Sequence, residues 1–264
     1  RSLARIKTKK SYQALNEFYK TKVAVLNEYT GSLYTVKDSL ELAKELFPTV
    51  LEAFVKDTTE NYSLISLTKA LLDSGIIAYD MIKPFEAGII KLTNRFVGQK
   101  TDQKAIFDSY VNENLLAIIN HSDNRVEKYQ YFNDLLRSKN NWMAYYASYY
   151  LLKSNQAINT KVISSIAKHP HFRNLMISDF KDLKRMDMFP AKYNNQLSFS
   201  EAELYRFAYD YDEIELSRMD FISKKSVLYK DKMAEFYFFK IKYSDDEDYY
   251  LGYCGPYYSG EELS

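Results

Sequence analysis

Apolar side chains return every three or four residues from Tyr12 onward. Tyr12, Leu15, Tyr19, Val23 and Leu26 share one side of a helix that Gly31 ends. Val36, Leu40, Ala43 and Leu46 or Phe47 trace a second helix, stopped before Pro48, and Val50, Leu51, Phe54 and Val55 a short third. Asn61 or Ser63 is positioned to cap a helix carrying Leu64, Leu67, Leu71 and Leu72, closed by Gly75. Pro84 suits the first turn of the next, with Phe85, Ile89, Leu92 and Phe96 along one face. Thr101 and Asp102 open a longer helix through Phe107, Val111, Leu115 and Ile118, and Asp123 or Asn124 starts one with Val126, Tyr129, Phe132 and Leu136.

Trp142, Tyr145, Tyr146, Tyr149 and Tyr150 then form one broad helical face, with Ala144, Ala147 and Ser148 off it leaving room for a close neighbour. Asn159 caps a helix with Val162, Ile163 and Ile166 that stops at His169-Pro170, and Phe172 to Leu183 makes another. Ser200 with Glu203 reads as a capping box for a helix through Leu204 and Phe207. After about residue 210 the period changes to two. Ile214 and Leu216 alternate, then Val227 and Tyr229, then "FYFFKIKYSDDEDYYLGYCGP", which predicts a small antiparallel sheet of short strands separated by charged turns.

The expected architecture is therefore mainly α, with roughly nine to eleven helices in series. Loops are short, so neighbouring helices should be antiparallel hairpins, followed by a small antiparallel β-sheet cap. The division expected is a basic arm over 1–10, a helical domain over 11–208, and a β cap over 209–264 packed on the last helices. A five-residue loop at Ser244–Asp248 would set Tyr243 opposite Tyr249, Ile241 opposite Leu251 and Phe239 opposite Tyr253. Cys254 would then face Phe238, and Gly255-Pro256 would end the strand. In that register Phe239, Ile241, Leu251 and Tyr253 are buried and Asp245 to Asp248 exposed.

The stretch "NNWMAYYASYYLLKSNQAINTKVISSIAKHPHFRNLMISDFKDL", residues 140–183, resembles a HEAT-like unit: an aromatic and alanine-rich first helix, a polar turn, an aliphatic second helix. "DNRVEKYQYFNDLL", residues 123–136, is similar to the second helix of a preceding unit. The resemblance covers about half the chain, and residues 11–97 follow it less regularly. It implies an α-solenoid, a right-handed stack of helical hairpins whose surface is offered to another macromolecule.

Composition narrows the classes. There are 25 tyrosines and 16 phenylalanines but only 7 glycines, which suits long helices and places much aromatic mass at the core rim. The formal net charge of +1 supplies no global drive toward nucleic acid or acidic membrane, so neither is expected as a partner. No apolar run reaches the ~18–20 residues of a membrane span. One cysteine excludes an intrachain disulfide and leaves cytoplasm, cell envelope and periplasm all open. The first residue is Arg1, so a piece of something longer is expected.

Candidate chemistry is sparse. His169 and His171 flank Pro170, but zinc wants three or four ligands, and only His121, Asp179 or Asp182 could add to them; an inter-helix turn is the expected reading. Asp245-Asp246-Glu247-Asp248 lacks the alternating ligands and glycine of a calcium loop and reads as a solvated turn. Cys254 shows no neighbouring base in sequence and is expected to be a small strand residue. P-loop, dinucleotide, HExxH and GxSxG patterns are absent, and no cofactor or metal is expected.

The leading expectation is a non-catalytic interaction or scaffold module, the C-terminal part of a larger bacterial protein or a subunit of an assembly. Its partner would be another protein or upstream domains of its own. The alternative is a ligand-binding module using an aromatic groove at Trp142, Tyr145, Tyr146, Tyr149 and Tyr150. The third is an enzyme using Cys254 with His169 or His171.

Overall fold

A computed structural model describes residues 8–21, 62–97, 105–212 and 216–258. The helices expected over 36–47 and 50–55, and Gly31, Val23, Leu26 and Ile214, lie outside the described residues. Within them the protein is mainly helical, and a three-stranded antiparallel sheet follows the helices. Two compact units divide the chain, residues 1–150 and 151–264.

In the first unit, α1 (Lys9–Thr21) begins one residue after Thr8, whose hydroxyl accepts the Ser11 amide at 3.2 Å while Ser11 Oγ accepts the Thr8 amide at 3.1 Å. Lys9 and Lys10, expected in a loose arm, thus belong to the helix. Tyr12 and Leu15 are buried, as their spacing predicts. In α2 (Tyr62–Asp73) Leu67, Leu71 and Leu72 are buried. Gly75 closes it at φ +69, with the Ile76 amide bonded back to the Leu71 carbonyl at 3.1 Å. Pro84 lies in a short 3-10 turn that leads into α3 (Glu86–Val97), where Ile89 and Leu92 are buried.

The next helix, α4 (Ala105–Asn120), packs against both α2 and α3. Its end "LLAII" is buried on every side, which is why Leu116, Ala117 and Ile119 join the expected Leu115 and Ile118. Asn124 caps α5 (Arg125–Leu135) by accepting the Glu127 amide at 3.3 Å. Here one expected core position is corrected. Val126 stands 76% exposed in the first turn, and α5 is anchored by Phe132 and Leu135 instead. A first-turn residue has only half a helix beneath it, so its burial depends on what neighbours it rather than on spacing. α6 (Asn141–Lys153) carries the aromatic ridge, and the buried Asn140 side chain accepts the Trp142 amide at 3.0 Å.

In the second unit, α7 (Thr160–Ile166) is capped by Asn159, whose oxygen accepts the Lys161 amide at 2.9 Å. α8 (Pro170–Asp182) starts on the proline that stops α7, with His169 at the cap. α9 (Gln196–Asp212) begins four residues before the expected Ser200. Asn195 is the residue whose side chain accepts an early amide, that of Ser198 at 3.0 Å. Ser200 lies inside the helix and donates to the Gln196 carbonyl at 2.8 Å, while Glu203 accepts the hydroxyl of Tyr257. The capping box is therefore not formed.

The sheet order is β1-β2-β3, with β1 at Leu216–Tyr229, β2 at Lys232–Tyr243 and β3 at Tyr250–Tyr258. The charged segment expected to separate two short strands is part of one 14-residue strand, accommodated by a bulge between Phe221 and Ser223. β1 and β2 join through Lys230 and Asp231, both at positive φ (46 and 62), the geometry of a type I′ turn.

The β2–β3 register differs from the expected one by a residue. Ile241 pairs with Tyr250, Phe239 with Gly252, Phe238 with Tyr253 and Tyr237 with Cys254. Phe239 and Ile241 are buried as expected, but Leu251 is 66% and Tyr253 60% exposed. The buried residues of β3 are Gly252 and Cys254. The cause lies in α9. A Cβ added to Gly252 would stand 2.8 Å from Leu204 Cδ2, so this helix approaches so closely that only the small side chains of β3 fit beneath it. Leu204, Tyr205 and Ala208 of α9 close over Leu216, Tyr237, Phe239, Ile241 and Cys254 as one core. Gly255-Pro256, a cis pair, sits inside β3 rather than ending it. Gly255 holds φ +127, and a Cβ there would meet the Glu235 carbonyl oxygen at 2.6 Å.

Candidate functional site

The expected aromatic ridge of α6 is largely core. Trp142, Tyr145 and Tyr150 are buried, and Tyr146 and Tyr149 half-buried. Trp142 stacks on Tyr146 at 5.7 Å and meets Tyr145 edge-on at 6.2 Å. Tyr150 packs on Phe132 at 6.0 Å and on Tyr149 at 5.1 Å. Rings that spend their faces on each other leave little plane for a ligand.

The histidine pair also sits in an aromatic nest. His169 lies 5.5 Å from Phe172 and 5.2 Å from Tyr205. His171 is buried 4.9 Å from Tyr209 and 5.5 Å from Phe172. Burial first, then His169 and Arg206, push its pKa down to about 4, so it is neutral near pH 7. Among the described residues, no three His, Cys, Asp or Glu side chains gather as a metal site. Cys254 is buried with its thiol donating to the Ser200 carbonyl at 3.3 Å. Burial, with the Glu203 carboxylate second, pushes the thiol up to about 12, the opposite of what a nucleophile needs. The acid run is a turn in which Asp246 accepts the Asp248 amide at 2.9 Å and the hydroxyl of Tyr250.

Two polar constellations escape sequence reasoning. In the first unit, Asp73 receives Lys69 at 2.7 Å and His121 Nε2 at 2.8 Å. Burial pushes the Asp73 carboxyl up, but these bonds outweigh it and hold its pKa below the usual value. Ser122 beside it donates to Glu86 at 3.2 Å, as Tyr79 does at 2.7 Å, so the hydroxyl ties helix ends together instead of joining a His–Asp relay. In the second unit, Arg173 is 3% exposed. It donates to the carbonyls of Ala167, Lys168 and Ser198 at 3.0, 3.3 and 2.9 Å and to Glu201 at 2.8 Å, with Tyr193 4.4 Å from its guanidinium. It fastens the α7–α8 turn to the start of α9. Nothing in the sequence marks it, since an arginine on a helix is usually solvated.

The outer face of the sheet is different in kind. Strand alternation directs Ser223, Lys225, Val227 and Tyr229 of β1, Phe236, Phe238, Lys240 and Lys242 of β2, and Leu251 and Tyr253 of β3 away from α9. Tyr253 stands 6.4 Å from Phe236 and 6.2 Å from Phe238. Lysines lie over neighbouring rings: Lys225 over Phe238 at 5.7 Å and Lys240 over Tyr249 at 4.0 Å.

No family model, characterised protein or solved structure matches this chain. The one-residue register difference is what makes this outer face. In the register expected from the loop, Leu251 and Tyr253 would lie beneath α9 and leave solvent a milder surface. The available signal was Gly252: a glycine between two large apolar residues in a strand marks the side where another element comes close. Among the described residues, no helix is long and apolar enough to cross a membrane.

Proposed function

We propose that this chain is a non-catalytic protein-interaction module whose partner docks on the outer face of the sheet. The observation that carries the reading is the pair Leu251 and Tyr253, 66% and 60% exposed, beside the half-buried Phe236 and Phe238. A sheet that is apolar on both faces normally has a layer on each. Here α9 supplies one. Exposed apolar area of this kind, rimmed by charge, is characteristic of an interface. The interlocked rings of α6 favour the sheet over the Trp142 ridge as the docking surface. The protonated, buried state of Cys254 favours binding over thiol chemistry.

Within the second unit, α7, α8 and α9 fit the same reading as part of a HEAT-like stack of antiparallel hairpins, with α9 packed on the sheet. Support comes from the short link between α7 and α8, and from the packing of α8 on α9 across a longer connection that holds two 3-10 turns. Solenoids work through extended surfaces rather than deep pockets.

The test is photocrosslinking from native extract, with a benzoylphenylalanine at position 253 and, as a control, at position 126 on α5. One saturable protein partner at micromolar concentration, captured from position 253 and not from 126, is the expected result. No captured protein from either position, or a turnover that depends on Cys254, overturns the reading.

A further inference from the structure

We infer that the free end of the β1–β2 hairpin, residues 224–233, is a docking tip that enters the headgroup layer of an anionic phospholipid membrane. This surface is separate from the one centred on Leu251 and Tyr253. The inference goes beyond the interaction-module reading and does not rest on it.

Exposure singles out the tip. Every residue from 224 to 233 is exposed. Leu228 and Met233 pair with each other and point to the side of α9, yet stand 71% and 53% exposed. The core beneath α9 takes in Tyr237 and Tyr257 but neither of them. Val227 and Tyr229 point the other way and are exposed too. A flat protein surface covers one face of such a ribbon. A lipid layer surrounds a projecting tip and takes up apolar side chains on both faces. The last described β2–β3 pair is Ala234 with Tyr258. Lys232, Met233 and the turn carry the hairpin roughly 7–10 Å past that pair, the depth to which interfacial elements sink.

Charge selects the kind of membrane. Lys230 and Lys232 bracket the turn, and Lys224 and Lys225 stand behind them. Asp231 is the acid of the turn. Glu235 is engaged by Lys224 at 2.8 Å and by the Tyr237 hydroxyl at 3.1 Å. Glu203 of α9 accepts the hydroxyl of Tyr257, the strand partner of Glu235, so both of these acids sit back from the turn. Asp220 and the acids at 245–248 lie towards the opposite end of the sheet, where Leu216 pairs with Tyr243. Glu261 and Glu262 lie outside the described residues. The near-zero net charge of the chain is thus an average, and the hairpin end is basic. Lysine stems can lie along an apolar tip while their ammonium groups reach lipid phosphates and carboxylates.

Single-stranded nucleic acid would use the same lysines but needs free ring planes for its bases. Tyr229 is the one ring among residues 224–233. It meets Phe236 edge-on at 5.9 Å and has the Lys230 ammonium 5.3 Å away over its ring. Leu228 and Met233 offer no plane at all.

The experiment uses the full chain and vesicles of phosphatidylcholine, with and without about 30% phosphatidylserine. In cosedimentation the chain should bind the anionic vesicles at least tenfold more tightly than the neutral ones, and more weakly as salt rises. Leu228→Ser with Met233→Ser should weaken that binding at least tenfold, and so should Lys230→Glu with Lys232→Glu. Leu251→Ser with Tyr253→Ser, and Glu261→Gln with Glu262→Gln, should not weaken it. The side chains replaced at 228, 230, 232, 233, 251 and 253 are exposed, so unchanged melting temperatures confirm that those variants fold. A polarity-sensitive dye on Ser226→Cys should shift to the blue with anionic vesicles, and the same dye on Asp245→Cys should not. Cys254 is buried and stays unlabelled. Equal binding to the two kinds of vesicle, no binding to either, or no effect of Leu228→Ser with Met233→Ser overturns the inference. So does an equal loss from the 251 and 253 pair, an equal dye shift at 245, or displacement by oligothymidine. Crosslinking from position 253 reads the other surface, so either reading can fall while the other stands.

Discussion

At the scale of single residues, three positions carry more than their residue types announce. Gly252 lets α9 approach β3, and Leu204 Cδ2 would meet any Cβ there at 2.8 Å. Gly252→Val should cost ~1–3 kcal/mol in urea unfolding through overpacking. Gly252→Ala should cost less, because a Leu204 methyl is the flexible end of its side chain. Arg173 binds four acceptors from within the core. Arg173→Met should cost ~3–5 kcal/mol by leaving Glu201 and the turn carbonyls without their donor. Arg173→Lys should recover only part, since a single ammonium cannot span the same fork. Cys254, buried with its thiol pushed up to about 12, should react with an aromatic disulfide reagent at pH 8 far more slowly in the native protein than in urea. Equal rates would remove the view of Cys254 as a packed strand residue.

At the scale of elements, the register of β3 decides which aromatic residues are structural. Ile241 lies beneath α9 and Leu251 faces outward. Ile241→Asp should therefore unfold the unit or cost several kcal/mol, as an unpaired buried charge does. Leu251→Asp should leave the melting temperature within a few degrees. The opposite ranking would restore the register expected from the loop alone. The start of α9 offers a second comparison. Asn195→Ala should cost ~1 kcal/mol as the loss of a cap, whereas Ser200→Ala, inside the helix, should change stability little.

For the molecule as a whole, pH is the accessible lever. His171 faces Phe172 on its own helix, His169 at the helix cap, and Tyr205, Arg206 and Tyr209 on α9. Its folded pKa of about 4 lies below the ordinary 6.5, so the unfolded chain takes up this proton first. Its contribution is complete above about pH 6.5 and is lost as pH falls towards 4. The loss at pH 4.5 should be ~2–3 kcal/mol, read as the difference between urea midpoints of the wild type and His171→Phe at pH 7.5 and 4.5. A wild type and variant with parallel pH profiles would contradict it.

What the sequence determined by itself was local. Period and capping residues marked the helices from α2 to α8, because spacing, Asn124, Asn159, Pro170 and Gly75 act within a turn or two of chain. The change to period two after residue 210 marked the sheet for the same reason. What only the tertiary structure decided was everything set by a distant neighbour. Val126 is exposed because none of the described residues covers it, and Arg173 is buried because four acceptors from two segments, the α7–α8 turn and the start of α9, converge on it. Leu251 and Tyr253 face solvent because α9, some fifty residues away in sequence, comes too close to β3 for them. Alternation says that two faces exist; which one another element covers is a property of the fold.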